Sequence, residues 1–113
     1  MPNLSVTIIT LNEADHIEAA IDSAAWADEI IVVDSESTDD TVAIARRYTD
    51  KVIVRPWPGY IAQKNFAAEQ ASHDWIFSLD ADECVTPALA DEVRTILATG
   101  PGAAGYQIGR AHV

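Results

Sequence analysis

The chain has 113 residues, of which 49% are hydrophobic, enough for one folded domain with a buried core. Its 18 acidic residues against 7 Lys and Arg residues give a formal net charge of -11, which excludes direct binding of nucleic acid because no basic surface is available. The sequence shows no apolar run of membrane-spanning length and no signal-peptide pattern, so we expect a cytoplasmic protein, associated at most peripherally with the inner face of the plasma membrane.

Strands and helices alternate from the first residues onward. Leu4–Thr10 is rich in β-branched residues, which predicts a strand. Asn12 is placed to cap a helix whose apolar residues, from Ile17 to Ala24, have helical spacing. A second strand, Glu29–Asp34, is almost entirely Ile and Val and ends at an aspartate. Helix and strand therefore succeed each other as in α/β proteins.

The next segment continues the alternation. Ser37 or Thr38 can cap a helix that includes Val42, and Lys51–Val54 predicts a short third strand. A stiff loop with two prolines follows. Tyr60–Ala71 then predicts a helix, although its apolar face is thin.

The most informative stretch is Trp75–Thr86. An apolar run of strand length ends in two aspartates, Asp80 and Asp82, followed by Glu83. Carboxylates two positions apart face the same way in an extended chain, and their oxygens suit Mg2+ or Mn2+ bridged to a phosphate. A solvated acidic turn before a helix that begins at Pro87 is the alternative interpretation.

The last predicted elements complete an α/β pattern. Thr86 is placed to cap a helix that begins at Pro87. This helix has an apolar stripe between Leu89 and Leu97, and Gly100–Gly102 ends it. Gly105–Arg110 then predicts another extended segment. Strands alternating with helices predict a mostly parallel sheet with right-handed crossovers and helices on both faces.

Polar residues follow three strands of this predicted sheet. Parallel strands place their carboxyl ends along one edge, which is where open α/β sheets bind ligands. The convergence favours a metal-dependent site for a phosphate-containing ligand over three unrelated solvated turns. The residues concerned are Thr10, Asn12, Glu13, Asp34, Asp80 and Asp82.

Four short blocks occur in order along the chain, namely Ile8–Glu13, Val32–Thr41, Gln63–Asn65 and Leu79–Glu83. Together they resemble the family 2 glycosyltransferases of the GT-A fold. The last two blocks are most similar to the branch that builds lipopolysaccharide core or similar surface glycans. The resemblance implies that residues 1–113 form the N-terminal, Rossmann-like half of a GT-A domain, the half that binds a nucleotide sugar.

The resemblance also implies donor-binding roles for single residues. Thr10, Leu11, Asn12 and Glu13 would hold the base and ribose of a nucleoside diphosphate sugar. Asp34 would join them, accepting a hydrogen bond from the uracil edge if the donor is a UDP-sugar.

For the diphosphate and the sugar, the resemblance implies a second set of residues. Lys64 would lie near the phosphates or the sugar. Asp80, Ala81 and Asp82 would be the DXD motif, in which Asp82 ligates Mn2+ or Mg2+ most directly. Asp80 would contact the ribose or a metal-bound water, and so also belongs to the metal site.

The reaction implied is inverting transfer of a sugar from the UDP-sugar to a glycan or lipid-linked acceptor. In the family, the general base and the acceptor pocket come from a later segment, so no catalytic residue can be assigned in this sequence. We therefore expect a fragment, truncated before the acceptor-binding half, that binds the donor but is inactive alone. A truncated sheet would expose apolar surface, so we also expect homo-oligomers.

One departure from the family pattern, at two positions, and two alternative functions accompany this interpretation. Glu36 and Asp40 stand where family members usually have glycine, which makes this loop stiffer and more negative. One alternative is a phosphatase of the haloacid dehalogenase type, with Asp80 as nucleophile and Asp82 as acid and base. The other is a non-catalytic module that binds a nucleotide sugar without transferring it.

The three tryptophans are interpreted as packing residues. Trp26, Trp57 and Trp75 are assigned to the core or to loop packing and not to a sugar platform, because tryptophan buries a large apolar area wherever it lies. Trp57 lies between two prolines, in the loop before the helix predicted from Tyr60.

Overall fold

The computed structural model describes residues 3–98 and 107–108. Strands and helices alternate throughout these residues, as the sequence predicts. The elements are β1 (Leu4–Thr10), α1 (Ile17–Ser23), β2 (Glu29–Asp34), α2 (Thr41–Ala45), β3 (Val52–Val54), α3 (Tyr60–Glu69), β4 (Trp75–Asp80), α4 (Pro87–Ala98) and β5 (Gln107–Ile108). No helix within these residues is long and apolar enough to cross a lipid bilayer.

The strands form one sheet in the order β3-β2-β1-β4-β5, and every neighbouring pair is parallel. The order reverses at β1, which has β2 on one side and β4 on the other. Thr10 lies beside Asp34 in the register, and Ile9 lies beside Asp80. The carboxyl ends of β1 and β4 therefore frame the crevice where sheets of this kind bind ligands.

Helices cover both faces of the sheet, which confirms the predicted α/β architecture. One face carries the main apolar core, because alternate residues of β1 and β4 point to the side where α1, α2 and α4 pack. Its largest fully buried members are Phe77, Leu4, Ile8, Ile17, Ile21 and Leu79.

The opposite face is smaller and partly polar. Ile31 and Val33 of β2 pack there with Ala67 of α3. Two buried hydroxyls, on Thr7 and Ser78, lie on the same face and share a hydrogen bond of 3.4 Å. Since α3 buries few side chains, its thin apolar side, predicted from the sequence, is confirmed.

Two of the predicted helix caps are wrong. Asn12 does not cap α1, whose N-cap position is His16 and has no side-chain capping bond. Neither Ser37 nor Thr38 caps α2, because Asp40 occupies that position. These short polar side chains hydrogen-bond to each other's loops instead, a competition typical of Ser, Thr and Asn.

The remaining predicted boundaries are close to those observed. Thr86 caps α4 as predicted, since its hydroxyl oxygen accepts the Leu89 N–H at 3.1 Å. Strand β3 begins one residue later than predicted, and α3 ends at Glu69. Of the extended segment predicted near the end of the chain, the described residues include β5. The predicted stop at Gly100–Gly102 lies outside the described residues.

Candidate functional site

A cavity of about 180 Å³ opens at the carboxyl edge of the sheet, between the ends of β1 and β4. Its position is the crevice defined above, where the strand order reverses. The structure thus brings together six residues that the sequence assigns to a donor site. They are Thr10, Leu11 and Glu13 at the end of β1 and in the loop after it, and Asp80, Ala81 and Asp82 at the end of β4 and in the turn after it.

Larger hollows lie at the opposite, amino-terminal edge. One of about 460 Å³ contains Glu29, Lys51 and Ser72, and another of about 240 Å³ contains Trp26 and Arg94. In the first, Glu29 already accepts hydrogen bonds from the Ser72 backbone and hydroxyl, at 2.8 and 2.9 Å, and pairs with Lys51. The Glu29 carboxylate is therefore already satisfied, whereas the predicted donor-site residues lie at the carboxyl edge, where we place the functional site.

Three carboxylates cluster at the end of β4. Asp80, Asp82 and Glu83 each offer an oxygen, and these oxygens lie within 4.8 Å of one another. The turn is closed from both sides, because the Asp80 N–H donates to Glu83 Oε1 at 3.0 Å and the Glu83 N–H donates to the Asp80 carbonyl at 2.9 Å. A set of oxygen donors at this spacing fits Mg2+ or Mn2+.

Glu83 is a candidate ligand that the sequence interpretation left out of the metal site. The sequence names it only as part of an acidic turn after the strand. Glu83 is half-buried, as is Asp80, whereas Asp82 is exposed. The signal that could have found it is simply its position directly after the aspartate pair, in a turn that folds back on β4.

Tyr60 is a second residue that the sequence did not assign to the site. It is the first residue of α3 and lines the cavity. Its hydroxyl donates to Asp80 Oδ1 at 3.3 Å, which connects α3 to the carboxylate cluster. Because the two residues are 20 positions apart, no local pattern reveals the contact.

The packing interpretation is confirmed for two tryptophans and wrong for the third. Trp75 is buried in the main core, and Trp26 packs against that core while its indole N–H donates to the Ser23 carbonyl at 2.9 Å. Trp57 is 50% exposed and lines the cavity. Trp57 therefore belongs to the site and not to the core.

Asp34 is completely buried at the end of β2. Its carboxylate accepts the Ser37 N–H at 2.8 Å and the Ser37 hydroxyl at 2.5 Å. The Ser37 hydroxyl oxygen in turn accepts the Asn12 N–H at 2.7 Å. Asn12 and Asp34 are thus joined through Ser37, next to the cavity rather than in its lining.

A second set of bonds fastens the loop after β1 to the start of α2. The Glu13 N–H donates to Thr41 Oγ1 at 2.9 Å, and the Ala14 N–H donates to Asp39 Oδ2 at 3.2 Å. The Thr41 hydroxyl donates to Asp39, and this hydrogen bond holds the pKa of the Asp39 carboxyl below its ordinary value.

Two buried acceptors near the loop after β2 lack hydrogen-bond partners within the part of the chain that the structure describes. They are Thr10 Oγ1 and Gln63 Oε1. Both flank Ser35, whose N–H donates to the Thr10 carbonyl at 3.0 Å and whose hydroxyl accepts from Gln63 Nε2 at 3.1 Å. Buried polar atoms are rarely left unsatisfied, and a ligand or water is the usual explanation. Thr10 lines the cavity, although its hydroxyl oxygen is buried beneath the cavity surface.

Lys64 occupies the second turn of α3 and is half-buried. It is not among the residues that line the cavity. The structure therefore does not bring Lys64 into direct contact with the cavity, and its role at the phosphates stays a prediction.

Comparison with known proteins identifies the family. The sequence model described as Glycosyl transferase family 2 matches residues 5–111. An uncharacterized glycosyltransferase of Rickettsia felis is 53% identical over 100 residues, which cover 88% of this chain and 35% of that protein. The lipopolysaccharide core biosynthesis glycosyltransferase LpsC of Rhizobium meliloti is 39% identical over 112 residues, or 95% of this chain and 42% of LpsC. The chain thus spans well under half the length of these relatives.

A solved structure supports the same assignment. The glucosyl-3-phosphoglycerate synthase of Mycobacterium tuberculosis, crystallised with Mn2+ and UDP-glucose, is similar with a TM-score of 0.71 and 29% identity. The match covers 89% of this chain and 41% of the synthase. The similarity confirms the GT-A fold predicted from the sequence motifs and argues against a fold of the haloacid dehalogenase type. The chain belongs to glycosyltransferase family 2.

Proposed function

We propose that this chain is the donor-binding part of a glycosyltransferase that transfers a sugar from a UDP-sugar to a glycan or lipid-linked acceptor. The observation that carries the proposal is the cavity at the carboxyl ends of β1 and β4, whose lining includes Asp80 and Asp82. The relatives support it, since the mycobacterial synthase was crystallised with UDP-glucose. The name of LpsC supports an acceptor in lipopolysaccharide core or a related surface glycan.

Asp82 and Asp80, with Glu83, would hold Mn2+ or Mg2+. The fit rests on three carboxylate oxygens within 4.8 Å of one another and on the hard oxygen character of these donors. When bound, such a cation neutralises the charge that develops on a departing diphosphate. The contribution of the protein is to hold the carboxylates in place, which the reciprocal hydrogen bonds between Asp80 and Glu83 do.

The nucleoside would bind beside the loop after β2. Thr10 and Asn12 would contact the base and ribose together with Leu11 and Glu13. Asp34 would accept the uracil N–H, because a carboxylate has lone pairs to spare after two bonds to Ser37. Since Asp34 is inaccessible to solvent, the residues around it must rearrange before the base can reach it.

Lys64 would add a positive charge near the phosphates. Acidic residues outnumber basic ones by 18 to 7, so a cation and a lysine together are needed to attract an anionic donor. No residue of this chain is proposed as the catalytic base. We therefore propose that these residues bind the donor, and we assign none of them to the transfer step itself.

Calorimetric titration with UDP, with and without Mn2+, tests the proposal. We expect Mn2+ to be required for tight binding, and Asp82→Ala to weaken the Mn2+-dependent binding by about tenfold or more. Asp74→Ala is the matched control, since it removes an exposed aspartate just before β4, at the other edge of the sheet. Absence of UDP binding by the folded wild-type chain, or an equal effect of both variants, would refute the proposal.

A further inference from the structure

Apolar side chains are exposed together at the cavity. Leu11, Trp57 and Tyr60 line it with exposed fractions of 48%, 50% and 37%. They are three of the six large apolar side chains that residues 3–98 expose. Isolated exposed apolar residues are ordinary, but their concentration in a concave site with carboxylates marks a surface for a ligand with an apolar face.

The backbone around Trp57 holds it in this position. Pro56 and Pro58 fix the backbone on either side of it. Gly59 follows with φ 111° and ψ 157°, a conformation essentially restricted to glycine. The segment then enters α3 at Tyr60, whose hydroxyl is bonded to Asp80. An exposed tryptophan in so constrained a segment is pre-organised for binding.

The size of the cavity limits what can lie against this wall. Sites for whole drug-sized ligands measure roughly 300 to 1,000 Å³. The observed volume of about 180 Å³ suits a single ring and not a complete nucleotide sugar. A sugar directly attached to a diphosphate at Asp80 and Asp82 would have its ring at this place.

The chemistry of the lining suits a sugar ring. One face of a pyranose presents C–H groups, which pack on an aromatic side chain, while its hydroxyls are hydrogen-bond donors. Trp57 and Tyr60 supply aromatic surface for such a face, beside the carboxylates that line the same cavity.

We infer that Trp57 is the platform on which the sugar ring of the donor lies, and that it contributes to the choice of sugar. The inference rests on the proposed function, because it assumes a nucleoside diphosphate sugar at the carboxylate cluster. It assigns Trp57 a role in recognising the sugar and not the nucleotide.

The test compares ligands with and without the sugar. Affinities of UDP, UDP-glucose, UDP-galactose and UDP-N-acetylglucosamine are measured with Mn2+ for the wild type, Trp57→Ala and Trp57→Phe. Ile61→Ala is the matched control, since Ile61 is 73% exposed near the same helix start but does not line the cavity. We expect Trp57→Ala to weaken binding of at least one UDP-sugar by about three- to tenfold while UDP binding changes less than about twofold. Trp57→Phe should retain most of the affinity because it keeps an aromatic face.

Magnetisation transfer gives an independent measurement. Saturation of the aromatic protons of the protein should reach the sugar protons of the bound UDP-sugar in the wild type and decrease in Trp57→Ala. Equal weakening of UDP and UDP-sugars, or no weakening of either, would overturn the inference and leave the donor site intact. Binding of UDP with no binding of any of the three UDP-sugars would also overturn it. Loss of UDP binding by the wild type itself would instead refute the proposed function, and the platform with it.

Discussion

The side-chain oxygen of Asn12 accepts the backbone N–H of Thr38 at 2.8 Å, although the residues are 26 positions apart. The Asn12 N–H donates to the Ser37 hydroxyl in return, at 2.7 Å. The two bonds join the loops that follow β1 and β2. Asn12 makes them with φ 52°, a left-handed conformation that asparagine tolerates better than most residues.

Two substitutions of Asn12 should distinguish the stability contributed by its hydrogen bond to Thr38 from the cost of its left-handed backbone conformation. Asn12→Gly keeps the left-handed conformation but loses the bond to Thr38, and we expect it to lower the free energy of unfolding by about 1 kcal/mol. Asn12→Ala should lower it by about 2 kcal/mol, because alanine must in addition adopt a conformation it disfavours. Urea unfolding measures both. Equal stabilities of the two variants would contradict this account of the loop.

Glu36 also has a left-handed backbone, with φ 62°, at a position where family resemblance leads us to expect glycine. Glu36→Gly should therefore be more stable than Glu36→Ala by about 1 kcal/mol, the reverse of the order found in helices. Thermal or urea unfolding of the two variants measures this difference in stability. A more stable alanine variant would show that the strain at this position is absent in solution.

The bond from Tyr60 to Asp80 should matter for the metal and not for the nucleoside. We expect Tyr60→Phe to weaken Mn2+-dependent binding of UDP by about three- to tenfold, since an Asp80 carboxylate without this donor is less well oriented. Binding of UDP measured without metal should be unchanged. Tyr48→Phe is the control, because the Tyr48 hydroxyl donates to Glu18 and Tyr48 does not line the cavity.

Asp39 should titrate below the ordinary range for aspartate. The Thr41 hydroxyl that donates to it lowers its pKa, so the hydrogen bond stabilises the folded state at pH values above the unfolded-state pKa. This stabilisation is lost as the pH falls through the lowered, folded-state pKa. Thr41→Val should raise the Asp39 pKa, whereas Thr41→Ser keeps a hydroxyl and should preserve the low value. Carboxyl carbon chemical shifts followed against pH measure the difference.

Self-association stays a prediction from the sequence, and the structure supplies surfaces to test it. Val54 on β3 and Ile61 on α3 are 45% and 73% exposed. If such apolar side chains meet in a dimer, Ile61→Ser should shift the equilibrium toward monomers. Light scattering over a range of concentrations measures the mass. A wild-type chain that stays monomeric at every concentration would contradict the prediction.

The strands could be predicted from the sequence almost to the residue. β1 and β2 match their predicted bounds because runs of β-branched residues end sharply at Thr10 and Asp34. Their parallel arrangement followed from the helices between them. The strand bounds and the parallel arrangement depend on patterns between residues close in sequence, and such patterns can be recognised in a single sequence.

The helix caps could not be predicted in the same way. Asn12, Ser37 and Thr38 are all good capping residues, and nothing close in sequence shows that they prefer one another. Their bonds depend on the register between β1 and β2, which sets the two loops side by side. The local rule succeeded at Thr86, whose hydroxyl oxygen caps the adjacent helix.

Part of the site could be predicted from the sequence, namely the residues that local patterns mark, whereas residues brought in by the tertiary fold could not. The Asp80 and Asp82 pair stands out because it ends an apolar strand, and the fold places Thr10 beside it as the parallel sheet requires. Trp57 and Tyr60 reach the same cavity only because Gly59 turns the chain into α3. A tryptophan between two prolines gives no local sign of whether it packs inward or faces a cavity.

The thin contact between α3 and the sheet has a consequence for motion. The main core holds α1 and α4 through three buried residues each, whereas α3 buries only Gln63 and Ala67 among its own side chains, over a face that includes buried hydroxyls. Local opening is easiest where few apolar contacts hold an element. Amide hydrogens of α3 should therefore exchange with solvent faster than those of β1, without unfolding of the sheet. Tyr60 is the first residue of this helix and lines the cavity. A nucleotide sugar bound there should therefore slow the exchange of the α3 amides. Ligand binding would then occur together with the closing of α3 against the sheet.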